Sequence, residues 1–291
     1  MTVDSARLNV GVVGPGRAGS VLAAALARAG HHVVAAYAVS EESKQRAGDL
    51  LPDAVIMEIE QVFERSDLVL LTVPDDALIS LAVAIADNGW CRSGQFVAHS
   101  SGSHGIGALD PLTENGALPL ALHPAMTFNG SSMDVDRLTG CPFGVTAPDD
   151  LIPVATALVV EMGGEPMLVA ESKRSEYHAA LAHGSNHLVT LINDAMSLLS
   201  DSGVERPDKF LAPLVGAALD NSLRYGDEAL TGPVSRGDAS TVAKHLAILE
   251  QQSPRMAATY RAMALRTAER AMAAQILNPV AAAEIMAVLG E

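Results

Sequence analysis

Near the start of the chain, an apolar run leads into a glycine turn and then into a helical pattern. Residues 10–13 are a short β-branched run, residues 14–19 read GPGRAG, and an Ala/Leu-rich segment follows up to residue 30. This order predicts a strand, a tight turn and a helix, the arrangement that binds the pyrophosphate of a dinucleotide. The predicted phosphate contacts are Gly14, Pro15, Gly16, Arg17, Ala18 and Gly19.

The length, net charge and cysteine content limit the classes of protein to which this chain can belong. The 291 residues are enough for two domains with separate cores, and the formal net charge of -15 argues against a surface that coats nucleic acid. Cys91 and Cys141 are too few for a disulfide framework. Neither a secretory signal nor an apolar run of membrane-spanning length is seen in the sequence. We therefore expect a cytoplasmic protein that binds a small-molecule substrate, without a nucleic-acid or membrane partner.

Strand and helix patterns alternate over the first part of the chain. Short apolar runs occur at residues 32–39, 55–58, 67–73, 95–100, 118–123, 143–146 and 166–169. Strands that alternate with helices predict a mostly parallel sheet of the doubly wound α/β class. From residue 171 onward the pattern is helical, beginning with a long helix at residues 172–200. The sequence thus predicts a Rossmann-like dinucleotide-binding domain over residues 1–170 and an all-α substrate and dimerisation domain over residues 171–291.

The end of the second predicted strand bears on the choice between NAD and NADP. An acidic residue there binds the ribose 2′-hydroxyl, but this chain reads Ala38-Val39-Ser40 at that point. Ser40 and Arg17 instead suit a 2′-phosphate, so we expect NADP, with NAD as the alternative. Lys44 and Arg46 either join this phosphate site or lie on a solvated helix face.

Loops that follow the later strands supply further candidates, because ligands of such sheets lie beyond the carboxyl ends of the strands. Val73, Pro74 and Asp75 are predicted to line the cofactor, although Asp75 also suits the cap of a helix at residues 77–88. The hydroxyls of Ser100 and Ser101 are predicted to bind a substrate carboxylate, and Ser100 also borders the cofactor. His123, after the next strand, either binds substrate or bonds to a backbone carbonyl.

The first helix of the C-terminal domain carries a polar stripe. His178, Ala182 and Asn186 follow one another at four-residue steps and so face the same side of a helix. We expect His178 to donate the catalytic proton, since an imidazole exchanges protons near neutral pH, and Asn186 to orient the substrate carbonyl. His183 and His187 have the spacing of a metal pair, but no further ligand accompanies them, and we expect no metal.

A loop at residues 230–238 carries the remaining candidates. Thr231 and Arg236 lie there between glycines and before a helical pattern. Arg236 suits bidentate binding of a substrate carboxylate, and an internal ion pair is its alternative role. Asp238 or Ser240 is expected to cap the helix that follows.

Several of these motifs occur together in one order. They are Gly14-Pro-Gly-Arg-Ala-Gly19, Val73-Pro-Asp-Asp76, His99-Ser-Ser-Gly102, His123-Pro-x-x-Thr-Phe128, Tyr177-His-Ala-Ala180 with Ser185-Asn186, and Thr231-Gly-Pro-x-x-Arg-Gly-Asp238. In this order they resemble the Rossmann-like oxidoreductases whose C-terminal helical domain is the domain of unknown function DUF2520, in the superfamily of 6-phosphogluconate dehydrogenase and pyrroline-5-carboxylate reductase. The resemblance implies NAD(P) binding between the two domains and a homodimer formed through the C-terminal helices. It also makes ketopantoate a candidate substrate.

Two positions depart from the superfamily pattern. Related β-hydroxyacid dehydrogenases place a Lys four residues before an Asn of the interdomain helix; if that Asn is Asn186, this chain has Ala182 instead. Many relatives carry an Arg where this chain has Val39. The expected function is an NAD(P)-dependent oxidoreductase, with NADP preferred, that reduces the carbonyl of a small 2-oxo acid in the interdomain cleft. The absent Lys keeps a non-catalytic dinucleotide sensor as the alternative.

Overall fold

The computed structural model describes residues 7–290 and divides the chain into two compact units, Met1–Asn186 and His187–Glu291. The sequence predicts a boundary at residue 170, so the first unit contains one further helical segment. Within residues 7–290, no helix is both long and apolar enough to cross a membrane.

The first unit is an α/β domain built on one eight-stranded sheet. Its strands are β1 (Asn9–Val13), β2 (His32–Tyr37), β3 (Val55–Ile56), β4 (Leu68–Leu71), β5 (Phe96–His99), β6 (Leu118–Pro124), β7 (Pro142–Thr146) and β8 (Glu165–Leu168). Their order across the sheet is β3-β2-β1-β4-β5-β6-β7-β8. Neighbouring strands are parallel except for β6 and β7. The predicted doubly wound α/β fold is confirmed.

Helices cover both faces of this sheet. They are α1 (Arg17–Arg28), α2 (Glu41–Leu50), α3 (Ile59–Arg65), α4 (Asp75–Asp87), α5 (Asp110–Thr113), α6 (Ser132–Arg137), α7 (Ile152–Glu161) and α8 (Arg174–Leu181). Alternate residues of β4 belong to two core clusters, Leu68 to the cluster with Leu22 of α1 and Val69 to the cluster with Phe63 of α3. Since both faces are buried, the central strands are continuously apolar. Because β1, β4 and β5 are parallel neighbours, their carboxyl ends lie at one shared edge of the sheet.

Three glycines of the first turn differ in what the fold requires of them. Gly14 has a φ of 86°, a conformation that residues with a Cβ rarely adopt. A Cβ at Gly19 would lie 2.7 Å from the carbonyl oxygen of Gly14 and would also collide with the Thr72 hydroxyl. A Cβ at Gly16 would meet only that carbonyl oxygen, at 3.8 Å. The fold thus needs glycine at residues 14 and 19, whereas residue 16 has room for a larger side chain.

The sequence predicts one continuous helix over residues 172–200. This prediction is wrong, because the segment is divided into several helical elements. A short 3₁₀ turn (Glu171–Lys173) precedes α8, and a π-helical turn (Ala182–Asn186) separates α8 from α9 (His187–Asp201). The side chains of a π turn are of the same types as those of an α-helix. The apolar pattern of the sequence therefore does not reveal such a turn. Such turns are frequent at functional sites.

The second unit is helical, as predicted for the C-terminal domain. Besides α9 it contains α10 (Pro207–Tyr225), α11 (Ala239–Gln252), α12 (Pro254–Ala273) and α13 (Pro279–Leu289). Its core is formed mainly by α11, α12 and α13, with Val242, Ala268 and Ile285 fully buried. Asp238 accepts the backbone N–H of Thr241 at 3.0 Å, which confirms the predicted cap of α11.

Candidate functional site

A cavity of about 510 Å³, here called the glycine-turn cavity, opens where β1, β2 and β4 end. The predicted cofactor contacts that line it are Gly14, Gly16, Ala18, Ser40, Val73, Pro74 and Ser100. The other predicted contacts, Pro15, Arg17, Gly19 and Asp75, are not among its lining residues. Tyr37, Val39, Ser43 and Thr72 also line it and were not among the predicted contacts.

The start of α1 offers backbone donors to a phosphate at this cavity. Gly16 is the N-cap with an extended backbone, no side chain caps the helix, and its first turn has no acidic residue. The first N–H groups of a helix lack partners within it, and the helix dipole favours negative charge at that end. With the open space beside Gly16, these groups fit the pyrophosphate of a dinucleotide.

The end of β2 presents hydroxyl groups to the same cavity. The Oγ atom of Ser40 accepts the backbone N–H of Ser43 at 3.2 Å and lies 3.1 Å from its Oγ atom, so Ser40 caps α2. The ammonium of Lys44 is ion-paired with Glu41 at 2.8 Å. Of the two roles considered for Lys44, this pairing favours the surface one.

Two arginines approach each other beside this region. A Cβ added at Gly130 would lie 2.6 Å from Nε of Arg46 and 3.2 Å from the Cα atom of Arg17. The side chain of Arg17 is exposed. The side chain of Arg46 and the backbone of Arg17 therefore both lie next to Gly130.

Asp75 anchors a loop rather than capping a helix. The helix α4 begins at Asp75 itself, so the expectation of a cap for a helix at residues 77–88 is wrong. The Oγ atom of Ser103 donates a hydrogen bond to Asp75 at 2.6 Å. Burial raises the pKa of Asp75, but hydrogen bonds from Ser103 and Ser101 and the charges of nearby histidines outweigh burial and lower it. The carboxylate thus tethers the loop that follows β5.

Further hydrogen bonds make this loop rigid. The Nδ1 atom of His99 accepts the backbone N–H of Ser101 at 3.2 Å, so Nε2 carries the proton that is donated to the carbonyl of Gly105 at 2.9 Å. The carboxylate of Glu171 accepts two backbone N–H groups of the next turn, at 2.8 and 3.1 Å. The hydroxyl of Ser101 is buried and accepts the N–H of His104 at 3.1 Å. The single O–H proton of Ser101, which is predicted to bind a substrate carboxylate, is therefore shared in this structure with the carboxylate of Asp75.

His99 is expected to make the stability of the protein depend on pH. Burial lowers its pKa from 6.5 to about 4, so between these values the unfolded chain binds more protons and stability falls as the pH falls. The expected loss is about 3 kcal/mol of unfolding free energy between pH 7 and pH 4. Because His123 contributes in the same direction, the contribution of His99 is measured as the difference between the wild type and His99→Gln in urea unfolding across this range. The variant His99→Gln should show a weaker pH dependence than the wild type, and an equal dependence contradicts the prediction.

A smaller cavity of about 150 Å³, here called the histidine cavity, lies beyond the end of β6. Residues that line it include His123, Thr127, His178, Ala182, Ser185 and Asn186, and none of its lining residues is acidic. The structure therefore brings the predicted polar stripe together with His123. A Cβ at Gly102 would lie 2.8 Å from Nε2 of His123 and 2.6 Å from Cδ2 of His178. Both imidazoles thus flank the loop after β5.

Two residues next to the histidine cavity were missed by the sequence analysis as site residues. The Nδ1 atom of His123 lies 2.8 Å from the hydroxyl of Tyr177 rather than from a backbone carbonyl. Arg174, 2% exposed, lies beneath them with its guanidinium carbon 5.8 Å from the centre of the Tyr177 ring. Tyr177 belongs to one of the motifs quoted above, Tyr177-His-Ala-Ala180. For Arg174, no local sequence pattern indicates that the side chain is buried.

The remaining predicted residues belong to the second unit. Thr231 belongs to the second unit, where it lines a cavity of about 270 Å³ with His245 and Tyr260. Arg236 is in the same unit with its side chain exposed. The contribution of both to substrate binding stays a prediction. Within residues 7–290, no three His, Cys, Asp or Glu side chains are grouped so that they could hold a metal.

Comparisons with known proteins agree with this architecture. Family models match a Rossmann-like domain over residues 1–124 and the domain of unknown function DUF2520 over residues 141–267. No curated protein matches the chain.

Solved structures resemble the whole chain in fold. A proposed NADP oxidoreductase from Bacteroides fragilis has a TM-score of 0.76 at 20% identity, over 90% of this chain and 98% of that chain. A protein from Thermotoga maritima has a TM-score of 0.66 at 18% identity, over 91% of this chain and 99% of that chain. Pyrroline carboxylate reductase from Plasmodium falciparum, with NADP bound, has a TM-score of 0.59 at 16% identity, over 91% of this chain and 97% of that chain. The chain therefore combines a match to a Rossmann-like domain with a match to a DUF2520 domain, and it shares its fold with these solved structures.

Proposed function

We propose that this protein is an NAD(P)-dependent oxidoreductase that reduces the carbonyl group of a small carboxylate-bearing substrate. One observation carries the proposal: a single rigid loop borders both cavities. Ser100 lines the glycine-turn cavity, and Gly102, two residues later, is flanked by His123 and His178 of the histidine cavity. A cofactor held at the first cavity is thereby close to acid–base groups at the second.

The side chains of the histidine cavity support carbonyl reduction. A bound dihydronicotinamide supplies a hydride to the carbonyl carbon. As the new C–H bond forms, the π electron pair of the carbonyl moves to oxygen, which takes a proton from the imidazolium of His178. The amide of Asn186 donates a hydrogen bond that orients this oxygen. Proton donation of this kind contributes about 10²- to 10⁴-fold in rate.

The proposed substrate is a small 2-oxo acid, with ketopantoate as one candidate. The histidine cavity is small, about 150 Å³, and its lining has no negative charge to repel a carboxylate. We assign the carboxylate to hydrogen bonds from Ser100 and Ser101, and Thr231 and Arg236 of the second unit stay separate candidates for substrate binding. A screen of 2-oxo acids that includes ketopantoate, with NADPH oxidation as readout, identifies the substrate.

NADP is the proposed cofactor, and Arg17 is expected to recognise its 2′-phosphate. Because a charge-assisted hydrogen bond contributes about 1.5–3 kcal/mol, Arg17→Ala should remove a preference of about tenfold or more for NADPH over NADH. Titrations with both cofactors measure this. Lys44→Ala is the matched control, since Lys44 is paired with Glu41, and it should keep the preference. Absence of binding of either cofactor at millimolar concentration contradicts the proposed function itself.

A dinucleotide sensor without turnover is the second candidate. If Asn186 is the Asn of the related β-hydroxyacid dehydrogenases, Ala182 has the position of their Lys, and the lining of the histidine cavity includes Ala182 and no lysine. A tight NADPH complex that oxidises no cofactor across 2-oxo acids, imines and aldehydes favours this function.

A homodimer through the C-terminal helices is part of the proposal. No residue of α9 or α10 is buried, and α10 exposes Phe210 (64%), Leu214 (66%) and Leu223 (80%). Exposed apolar side chains on two helices without buried residues favour an interaction site, and a second copy of the chain is the proposed partner. Light scattering should report twice the mass of one chain, and Leu223→Asp should shift it toward the monomer. A monomeric wild type contradicts the dimer.

A further inference from the structure

The imidazole of His123 is held from one side by Tyr177. Its Nδ1 atom lies 2.8 Å from the Tyr177 hydroxyl, and the two rings meet edge to face at 89°. Gly144 makes room for the phenol, since a Cβ there would lie 2.6 Å from the hydroxyl oxygen. With Nδ1 engaged, the free nitrogen of the ring is Nε2, the atom next to Gly102.

The surroundings of Tyr177 set the direction of this hydrogen bond. Burial raises the pKa of Tyr177, so the phenol keeps its proton at neutral pH, although the charge of Arg174 and a backbone hydrogen bond with Gly144 oppose the rise. Groups that lower the pKa of a phenol present positive charge or a donor to its oxygen. The phenolic proton then has Nδ1 of His123 as its acceptor. A neutral imidazole that accepts at Nδ1 carries its own proton on Nε2.

The positive charge of Arg174 disfavours protonation of the His123 imidazole. Its Nε atom donates to the Thr146 hydroxyl at 2.7 Å, and Nη2 donates to the carbonyls of Ala121 and Gly144 at 2.9 and 3.0 Å. The buried Nη1 atom has no hydrogen-bond partner among the described residues. These acceptors are all neutral, so the guanidinium keeps its charge, and the negative charge of Glu171 acts on it and favours the charged form. A buried cation of this kind disfavours an imidazolium nearby.

The other charged groups around His123 act in both directions. Burial lowers the pKa of His123 to about 4, the charges of Arg174 and His178 lower it as well, and Asp75 raises it. The ring is therefore neutral at physiological pH. A neutral imidazole polarises a carbonyl through its N–H without giving up the proton.

We propose that Tyr177 and Arg174 hold His123 as the Nε2-protonated neutral tautomer, which donates a hydrogen bond to the carbonyl oxygen of the substrate. The proposal rests on the proposed function and divides the chemistry between two histidines. His123 stabilises negative charge on the oxygen and keeps its proton, whereas His178 transfers one. Tyr177 and Arg174 are positioning residues, because they act on the substrate only through His123.

The tautomer is measured on the full chain without cofactor. Long-range ¹H–¹⁵N spectra of the histidine-labelled protein should show His123 protonated on Nε2 and unprotonated on Nδ1 from pH 5.5 to 8. The variant His123→Gln identifies the resonances by their loss. Tyr177→Phe should give a mixture of tautomers. A proton on Nδ1 in the wild type, or an unchanged spectrum in Tyr177→Phe, overturns the proposal.

The second unit offers a matched spectroscopic control. His245 and Tyr260 form the same kind of pair, with 2.9 Å between Nδ1 and the hydroxyl. Tyr260→Phe should alter the resonances of His245 and leave those of His123 unchanged; a change at His123 contradicts the assignment to Tyr177.

Kinetics separate this inference from the proposed function. On the substrate found in the screen, Tyr177→Phe should lower kcat about tenfold with little change in KM or in the Kd of NADPH, as expected for one lost positioning hydrogen bond. Turnover with an unaltered kcat in Tyr177→Phe overturns the positioning role while the proposed function stands. If neither cofactor binds although the tautomer is as expected, the proposed function fails and the donor role of His123 toward a carbonyl fails with it.

Discussion

Replacing His178 by glutamine is expected to lower kcat by about 10²- to 10⁴-fold while the Kd of NADPH stays unchanged. Glutamine retains a hydrogen-bond donor of similar reach but has no proton to transfer to the developing alkoxide. His178 lines the histidine cavity and not the glycine-turn cavity, so cofactor binding should be spared. Steady-state NADPH oxidation gives kcat, and a fluorescence titration gives the Kd.

His32→Gln is the matched control for His178→Gln. His32 is exposed at the first residue of β2, at the opposite edge of the sheet from the carboxyl ends that form the site. It should keep the kcat of the wild type. Asn186→Ala tests the second catalytic assignment, since loss of the orienting amide should also lower kcat. If His178→Gln and Asn186→Ala both turn over like the wild type, the catalytic roles assigned here are wrong.

Replacing Gly16 by alanine is expected to weaken NADPH binding by about 100-fold, or about 2.7 kcal/mol, without unfolding the protein. The added Cβ meets only the Gly14 carbonyl oxygen, at 3.8 Å, so the fold has room for it. Gly16 lines the glycine-turn cavity, so the added Cβ would hinder the close approach of a pyrophosphate to the backbone. Isothermal titration with NADPH and thermal unfolding of the same sample measure the two effects.

Two other glycines separate binding from folding. Gly48 lies in α2 with no atom within 4 Å of an added Cβ, so Gly48→Ala should leave the Kd unchanged and, by helix propensity, add up to about 1 kcal/mol of stability. Gly19→Ala should lower both stability and affinity, because its Cβ collides with Thr72 and the Gly14 carbonyl. An unchanged Kd in Gly16→Ala shows that this turn does not hold the phosphates.

The glycine turn shows what local sequence predicts well. Gly14, Gly16 and Gly19 act within one strand, one turn and one helix, so their spacing is enough to predict that structure. The strands were predicted for a similar reason, since a sheet covered on both faces needs continuous apolar runs. Their ends were less accurate, as β2 stops at Tyr37 and residues 38–40 instead line the cavity or cap α2.

The histidine cavity shows where local pattern is insufficient. The stripe of His178, Ala182 and Asn186 was predicted from helical spacing, and it does line one cavity. The π turn that carries its last residues has no signature in side-chain type. Burial of Arg174 was equally hidden, because charged residues on helices are usually solvated.

Residue order alone accounts for the glycine turn, the alternation of strands and helices and the helical C-terminal unit, because each was predicted from the types and spacing of residues that are close together in the chain. The partner of His123 depends on the folded chain. Tyr177 is 54 residues away from it, and Arg174 is bonded across β6 and β7 to Ala121 and Gly144. Such pairings arise only when the sheet and α8 pack together, so the protonation state of the site follows from tertiary structure.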